Sequence, residues 1–140
     1  MTSKSQFVSN EAETDVFVSK LAEAIKPQTI ILLNGDMGSG KTYVCSKIAN
    51  HFGINNLSSA SFQRVNLHSG GVNVVHCDFY RRTCDYDFFC NEIEPLLADP
   101  WILLMEWTSF ESVIPEIGEV IEILINHKGG SKREILIKRY

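Results

Sequence analysis

One short segment of the chain carries the residue types that bind nucleotide phosphates. Residues 35–42 read Gly-Asp-Met-Gly-Ser-Gly-Lys-Thr and match the pattern G-x-x-x-x-G-K-[ST]. Glycines allow the backbone angles that turn successive N–H groups toward phosphate oxygens. In such a loop Lys41 reaches the β- and γ-phosphates, and the hydroxyl of Thr42 is a ligand of Mg²⁺. The segment therefore predicts a site for a nucleoside triphosphate with Mg²⁺.

The predicted nucleotide contacts come from this loop and from the first turn of the helix that follows it. A chance glycine-rich turn is the alternative interpretation. The flanking residues disfavour it, because a buried strand leads into the loop and an amphipathic helix leads out, with its positive end toward the same anion. The predicted cofactor-binding residues of this segment are Asp36, Met37, Gly38, Ser39, Gly40, Lys41, Thr42 and Tyr43.

Two acidic residues follow buried strands and are candidates for holding Mg²⁺ and orienting water. Glu106 ends the apolar run 101–105. It should therefore emerge at the carboxyl edge of the sheet, where ligands bind in open α/β folds. An ordinary polar strand end is the alternative for Glu106. Asp78 follows the predicted strand 72–76, and a solvated strand end is the alternative for this residue. The predicted catalytic residues are Lys41, Asp78 and Glu106, and the predicted metal ligands are Thr42 and Glu106.

Other polar and aromatic residues of this region are interpreted as structural. His76 is expected to pack in the core, and Trp107 is expected to pack rather than to stack on a base. Arg81 and Arg82 could meet phosphate, but most arginines lie on the surface. One further set could in principle hold zinc, but its spacing matches no metal-binding pattern: His76, Cys77, Cys84 and Cys90.

The elements that position these residues follow from the hydrophobic pattern. Asn10 and Glu13 are typical of a helix cap, and the helix is predicted to run to Lys26, before Pro27. A second apolar stripe predicts a helix from Val44 to Phe52 that Gly53 ends. The remaining predicted elements are buried strands at 29–33 and 101–105, hairpins at 65–74 and 120–137, and a helix at 85–97 that contains Pro95.

This pattern predicts an α/β fold, namely a P-loop NTPase-like three-layer domain with a mixed parallel and antiparallel sheet. The 140 residues, 44% apolar and 21% charged, fit one globular domain spanning residues 1–140 and exclude an intrinsically disordered chain. The longest apolar run is far below the roughly 20 residues of a membrane span. With no secretory signal visible, a cytoplasmic location is expected. The net charge of −4 disfavours strong direct binding to nucleic acid.

Four segments in order resemble the TsaE family of small ATPases of bacterial tRNA modification. That family shows Gly-Asp-Leu-Gly-Ala-Gly-Lys-Thr, then Ser-Pro-Thr-Phe, His-x-Asp-x-Tyr-Arg and Glu-Trp. The corresponding segments here are residues 35–42, 59–62, 76–81 and 106–107. The resemblance implies ATP binding and hydrolysis with Mg²⁺, in which Asp78 lies in a switch-like segment and Glu106 is the Walker B acid.

The resemblance also implies partners. Members of the family act with TsaB and TsaD proteins to form threonylcarbamoyladenosine beside the anticodon of tRNAs that read ANN codons. The carbamoyl transfer belongs to the partner, so this chain would be an accessory ATPase that meets tRNA only through the complex, with no membrane involved. Residues 59–62 read Ser-Ala-Ser-Phe and depart from the family. Ser61 keeps a hydroxyl for nucleotide, whereas Ala60 lacks the fixed angle of proline, so weak turnover without partners is expected.

Two other functions remain open at this stage. Residues 78–81 also resemble the acceptor-site segments of small-molecule P-loop kinases. Such kinases carry an arginine-bearing lid over the phosphates, and residues 107–118 contain no arginine. The third possibility is a nucleotide-dependent binding module without appreciable hydrolysis of its own.

Overall fold

The computed structural model describes residues 2–57 and 64–140, which are organised around one seven-stranded sheet. Its strand order is β1-β7-β6-β2-β5-β4-β3. The pairs β2–β5, β2–β6 and β4–β5 are parallel, and the other three are antiparallel. The predicted mixed sheet is therefore confirmed. The strands are β1 (Thr2–Val8), β2 (Thr29–Gly35), β3 (Val65–His68), β4 (Asn73–Asp78), β5 (Trp101–Glu106), β6 (Glu119–His127) and β7 (Arg133–Arg139).

Two α-helices, α1 (Glu11–Ala24) and α2 (Lys41–His51), cover one face of the sheet. The predicted cap of α1 is confirmed, because the Asn10 side chain accepts a hydrogen bond from the Glu13 N–H at 2.9 Å. The Glu13 carboxylate in turn accepts from the Ser9 N–H at 3.2 Å. In the part of the chain that the structure describes, no helix has both the length and the apolar character needed to cross a bilayer.

Residues 85–97, predicted to be one helix, instead form three short helical pieces. Asp85 caps a single α-helical turn, Tyr86–Phe88, which continues as a π-helix at Phe89–Ile93 and a 3₁₀-helix at Glu94–Leu96. Pro95 has no N–H to donate, so regular α-helical bonding cannot extend through it. The apolar spacing predicts Phe88, Phe89 and Ile93 to be buried; Phe89 and Ile93 are buried, whereas Phe88 is half-buried.

Strand β1 is an element that the hydrophobic pattern did not predict. Six of its seven residues are exposed, so it has no apolar face from which to recognise it. Its backbone instead pairs with β7 along its whole length, from Thr2 opposite Arg139 to Val8 opposite Arg133. The strands predicted from apolar runs and both predicted hairpins are present.

The alternating side chains of the central strands divide the core into two layers. Ile31 and Leu33 of β2 pack toward α1 and α2. Ile30 and Leu32 pack on the opposite face, which the helical pieces of residues 85–97 cover through Phe89 and Ile93. The sheet thus lies between two covering layers, and the carboxyl ends of β2, β4 and β5 lie next to one another.

Candidate functional site

The loop between β2 and α2 owes its shape to glycines. Gly35 has a φ of 130°, and a Cβ atom there would lie 2.0 Å from the carbonyl oxygen of Ile125 on β6. Gly38 and Gly40 also have positive φ values, 72° and 109°. Gly40 directly precedes α2 and has no side chain to cap it, which leaves the first N–H groups of the helix available to an anion.

Lys41 lies beneath this loop with its side chain buried. Its ammonium group donates to the carbonyl oxygens of Gly35 at 3.1 Å and Asp36 at 2.6 Å, and it lies 4.1 Å from the ring centroid of Trp107. Burial lowers the pKa of Lys41 below its ordinary value. The carboxylates that oppose this lowering of the pKa are those of Glu106, Asp36 and Asp78.

Thr42 and Glu106, the predicted metal ligands, are in direct contact. The Thr42 hydroxyl donates to Glu106 Oε1 at 2.9 Å. Glu106 is the last residue of β5 and is 2% exposed. A hydroxyl and a carboxylate are hard oxygen ligands of the kind that Mg²⁺ prefers, so the donor set fits this ion.

The second oxygen of Glu106 has a partner that the sequence did not predict. Glu106 Oε2 lies 2.7 Å from His76 Nε2, and His76 is 1% exposed. His76 is buried, as predicted, but it also contacts the acidic residue of the site. In the parallel pair β4–β5, Asp78 lies opposite Glu106 and His76 lies two residues earlier on β4. The spacing His-x-Asp at the end of a strand places both side chains on one face, and it is the pattern that could have identified His76.

A cleft of about 360 Å³ brings most of the predicted residues together. It is lined by eight of them: Met37, Gly38, Gly40, Lys41, Thr42, Tyr43, Asp78 and Glu106. Two aromatic residues complete the lining, namely Tyr80 and Trp107. Their rings are 5.1 Å apart, and the Tyr80 hydroxyl lies 3.7 Å from Met37 Sδ. Trp107 therefore packs, as predicted, but it does so against the ammonium group of the loop lysine.

Three of the residues predicted to contact the nucleotide have a polar group that is hydrogen-bonded to another part of the fold. The Asp36 carboxylate accepts the N–H of His127 at 2.9 Å. The Ser39 carbonyl accepts from Arg133 Nε at 3.0 Å. Tyr43 lines the cleft, but its hydroxyl donates to Asp15 on α1, and burial raises the pKa of this phenol. Ser61 and the rest of its predicted segment lie outside the described residues.

The cysteines and the histidine of the possible zinc set lie on two sides of the sheet. Cys77 and Cys84 belong to the core layer opposite α1 and α2, whereas His76 reaches the acid beside α2. Among residues 2–57 and 64–140, the potential ligand atoms that come within 4.8 Å of one another are those of Cys45, His76 and Glu106.

The fold and site together define an α/β protein in which a loop of the pattern G-x-x-x-x-G-K-[ST] lies at the carboxyl edge of a mixed sheet. Residues 8–135 match the family model described as threonylcarbamoyl adenosine biosynthesis protein TsaE. The chain belongs to the TsaE family.

Individual relatives agree with this assignment. The tRNA threonylcarbamoyladenosine biosynthesis protein TsaE of Rickettsia typhi is 34% identical over 127 residues, covering 86% of this chain and 88% of the relative. The protein of the same name from Bacillus subtilis is 30% identical over 134 residues, covering 90% of this chain and 79% of the relative. The crystal structure of Bacillus subtilis YdiB has the same fold, with a TM-score of 0.71 and 24% identity over 97% of this chain and 84% of that chain.

Proposed function

We propose that this member of the TsaE family binds ATP with Mg²⁺ in the cleft at Lys41 and hydrolyses it. Its role would be that of an accessory subunit in forming threonylcarbamoyladenosine in tRNA. The observation that carries the proposal is the 2.9 Å contact between Thr42 and Glu106, directly beside the loop lysine. It brings together a hydroxyl and a carboxylate, which are oxygen ligands of the kind that hold a phosphate-bound Mg²⁺.

Each residue of the cleft then has a distinct task. The loop N–H groups and Lys41 bind the β- and γ-phosphate oxygens, and Thr42 and Glu106 hold the metal. When bound, Mg²⁺ neutralises the charge that develops on the phosphoryl oxygens. Asp78 lies opposite Glu106 in the strand register and supplies a second carboxylate for orienting the attacking water.

The partners we propose are TsaB- and TsaD-like proteins in the cytoplasm. With a net charge of −4, the chain lacks the basic surface that usually binds nucleic acid, so tRNA would be held through these partners. Transfer of the carbamoyl group would also belong to the partners, and turnover by the isolated chain, a single ATPase domain over residues 1–140, would be weak.

Nucleotide binding by variants of the two lysines of α2 tests the proposal. Lys41→Ala removes the ammonium group from the loop, whereas the control, Lys47→Ala, removes a half-buried one that pairs with Asp15 at 3.8 Å. We expect isothermal titration to show at least about a 30-fold loss of ATP affinity in Lys41→Ala, the loss typical of removing a charged contact. Lys47→Ala should bind like the wild type.

Two results would contradict the proposal. One is equal ATP affinity and turnover in the wild type and in a folded Lys41→Ala variant, which would remove the loop from the mechanism. The other is ATP consumption that depends strongly on an added nucleoside or small metabolite, which would identify a kinase instead.

A further inference from the structure

We propose that His76 is a positioning residue for Glu106. Its Nε2–H group holds Glu106 Oε2, so that Oε1 is directed toward Thr42 and the metal. This inference rests on the proposed function, since it takes Thr42 and Glu106 as the Mg²⁺ ligands.

The two oxygens of Glu106 are held from two different elements. Thr42 Oγ1 on α2 reaches Oε1 at 2.9 Å, and His76 Nε2 on β4 reaches Oε2 at 2.7 Å. In the proposed arrangement the Nε2–H group of His76 is the donor, and the carboxylate oxygen accepts its hydrogen bond. With both oxygens bound, the carboxylate cannot rotate about its terminal bond without breaking a contact.

Burial makes the contact with His76 persistent. His76 is 1% exposed and Glu106 is 2% exposed, so water does not readily replace either partner. Leaving a buried charged group without a hydrogen bond is costly. A side chain that only filled the space of His76 would leave Oε2 without this donor, and the carboxylate could then turn away from Thr42.

The imidazole of His76 is held between regular secondary-structure elements. His76 and Glu106 lie on the adjacent parallel strands β4 and β5, both of which have a neighbouring strand on each side, and the register places His76 opposite Leu104. On the helix side, Cys45 of α2 lies within 4.8 Å of the same pair of ligand atoms. Sites built on strands and helices hold catalytic groups more closely than sites built on loops.

The carboxylate of Asp78, the other acidic residue of β4 and β5 at the site, has a different hydrogen-bond partner. Asp78 Oδ1 accepts the N–H of Tyr80 at 3.0 Å and so stabilises the turn that follows β4. His76 is therefore the residue of β4 whose side chain orients Glu106. Partners that orient a metal ligand in this way typically contribute about 10- to 100-fold to metal affinity or activity.

Nucleotide affinity measured with Mg²⁺ and again in EDTA tests the inference. We expect the increase in nucleotide affinity caused by Mg²⁺ to be about 10- to 100-fold smaller in His76→Leu than in the wild type. The nucleotide affinity of His76→Leu in EDTA should stay close to that of the wild type. His76→Gln should recover most of the gain, because its amide N–H can reach the same oxygen. His76→Asn should not, because it is shorter. His68→Leu, on β3, is the control and should behave like the wild type.

The outcomes separate this inference from the proposed function. If the wild type gains no nucleotide affinity from Mg²⁺, the proposed function fails and the inference fails with it. If the wild type gains affinity and a folded His76→Leu or His76→Asn variant gains as much, only the role of His76 is overturned.

A measurement on the metal-free wild type covers the case in which the variants do not fold. Nitrogen-15 spectra of the histidine rings should show Nε2 of His76 protonated. A ring protonated only at Nδ1 would overturn the inference.

Discussion

The hydroxyl of Thr42 lies 2.9 Å from Glu106 Oε1, although the two residues are 64 positions apart in the sequence. The register of the parallel strands brings them together. Strand β2 pairs with β5 from Thr29 opposite Ile102 to Leu33 opposite Glu106, so β5 ends beside the loop that follows β2. The first turn of the next helix therefore meets the last residue of the neighbouring strand, and the geometry of the sheet brings the two proposed metal ligands into contact.

Replacing Glu106 with glutamine should abolish the effect of Mg²⁺ while preserving the shape of the site. The amide keeps an oxygen for Thr42 but loses the negative charge that attracts the metal. We expect ATP turnover to fall at least about 100-fold, and we expect Mg²⁺ to add no nucleotide affinity in titration calorimetry. Glu122→Gln is the matched control, because this buried carboxylate accepts from Asn34 and Tyr140 on another part of the sheet. An equal loss of turnover in both variants would argue against a specific role for Glu106.

Substitution of Gly35 by alanine should destabilise the whole domain. The new Cβ would lie 2.0 Å from the Ile125 carbonyl oxygen, at a φ of 130° that side chains disfavour. Urea unfolding should show a loss of about 3 kcal/mol or more in the free energy of unfolding. Gly71→Ala is the control, since no atom lies within 4 Å of its added Cβ, and it should change stability by less than about 0.5 kcal/mol. Equal stability of the two variants would show that the loop does not approach β6 so closely.

The fluorescence of Trp107 should report nucleotide binding. The Lys41 ammonium lies 4.1 Å from the centre of its ring, and phosphate oxygens would draw that charge away from the indole. We expect Mg²⁺ and ATP to change the emission of the wild type and of the Trp101→Phe variant, because the indole of Trp101 is buried at the start of β5, whereas the ammonium of Lys41 lies over the ring of Trp107. Trp107→Phe should show no change. A response that disappears instead in Trp101→Phe would place the nucleotide away from Lys41.

The local elements of the fold were predictable because burial leaves a pattern in the sequence. Strands β2 and β5 and helix α2 each show it, and so the sequence could place Lys41, Thr42 and Glu106 at one edge of the sheet. Strand β1 was missed because it is held by backbone pairing and buries almost nothing.

The contacts made by His76, Tyr80 and Trp107 were missed for a related reason. They depend on strand register and side-chain direction, which the His-x-Asp spacing indicates for His76 but which no local pattern indicates for Tyr80 and Trp107. Trp107 even adopts a φ of 61°, which no local preference of tryptophan predicts.

The four cysteines should differ sharply in their reactivity toward alkylating reagents. Cys45, Cys77 and Cys84 are buried, whereas Cys90 is half-buried. Burial raises the pKa of Cys84 to about 11 and raises those of Cys45 and Cys77 as well. Because thiolate is the reacting species and a raised pKa lowers its fraction at pH 8, mass spectrometry should find Cys90 modified first in the native protein. All four should react in urea. Rapid alkylation of Cys45 in the native state would contradict the packing of α2 on the sheet.

Quantifying threonylcarbamoyladenosine in cellular tRNA tests the central claim most directly. Cells depleted of their own TsaE would receive the TsaB- and TsaD-like proteins proposed as partners, together with this chain as the wild type, as Lys41→Ala or as Lys47→Ala. We predict that the wild type and Lys47→Ala restore the modified nucleoside and that Lys41→Ala does not. Failure of the expressed, folded wild type to restore it, or full restoration by Lys41→Ala, would contradict the claim that nucleotide bound at this loop serves tRNA modification.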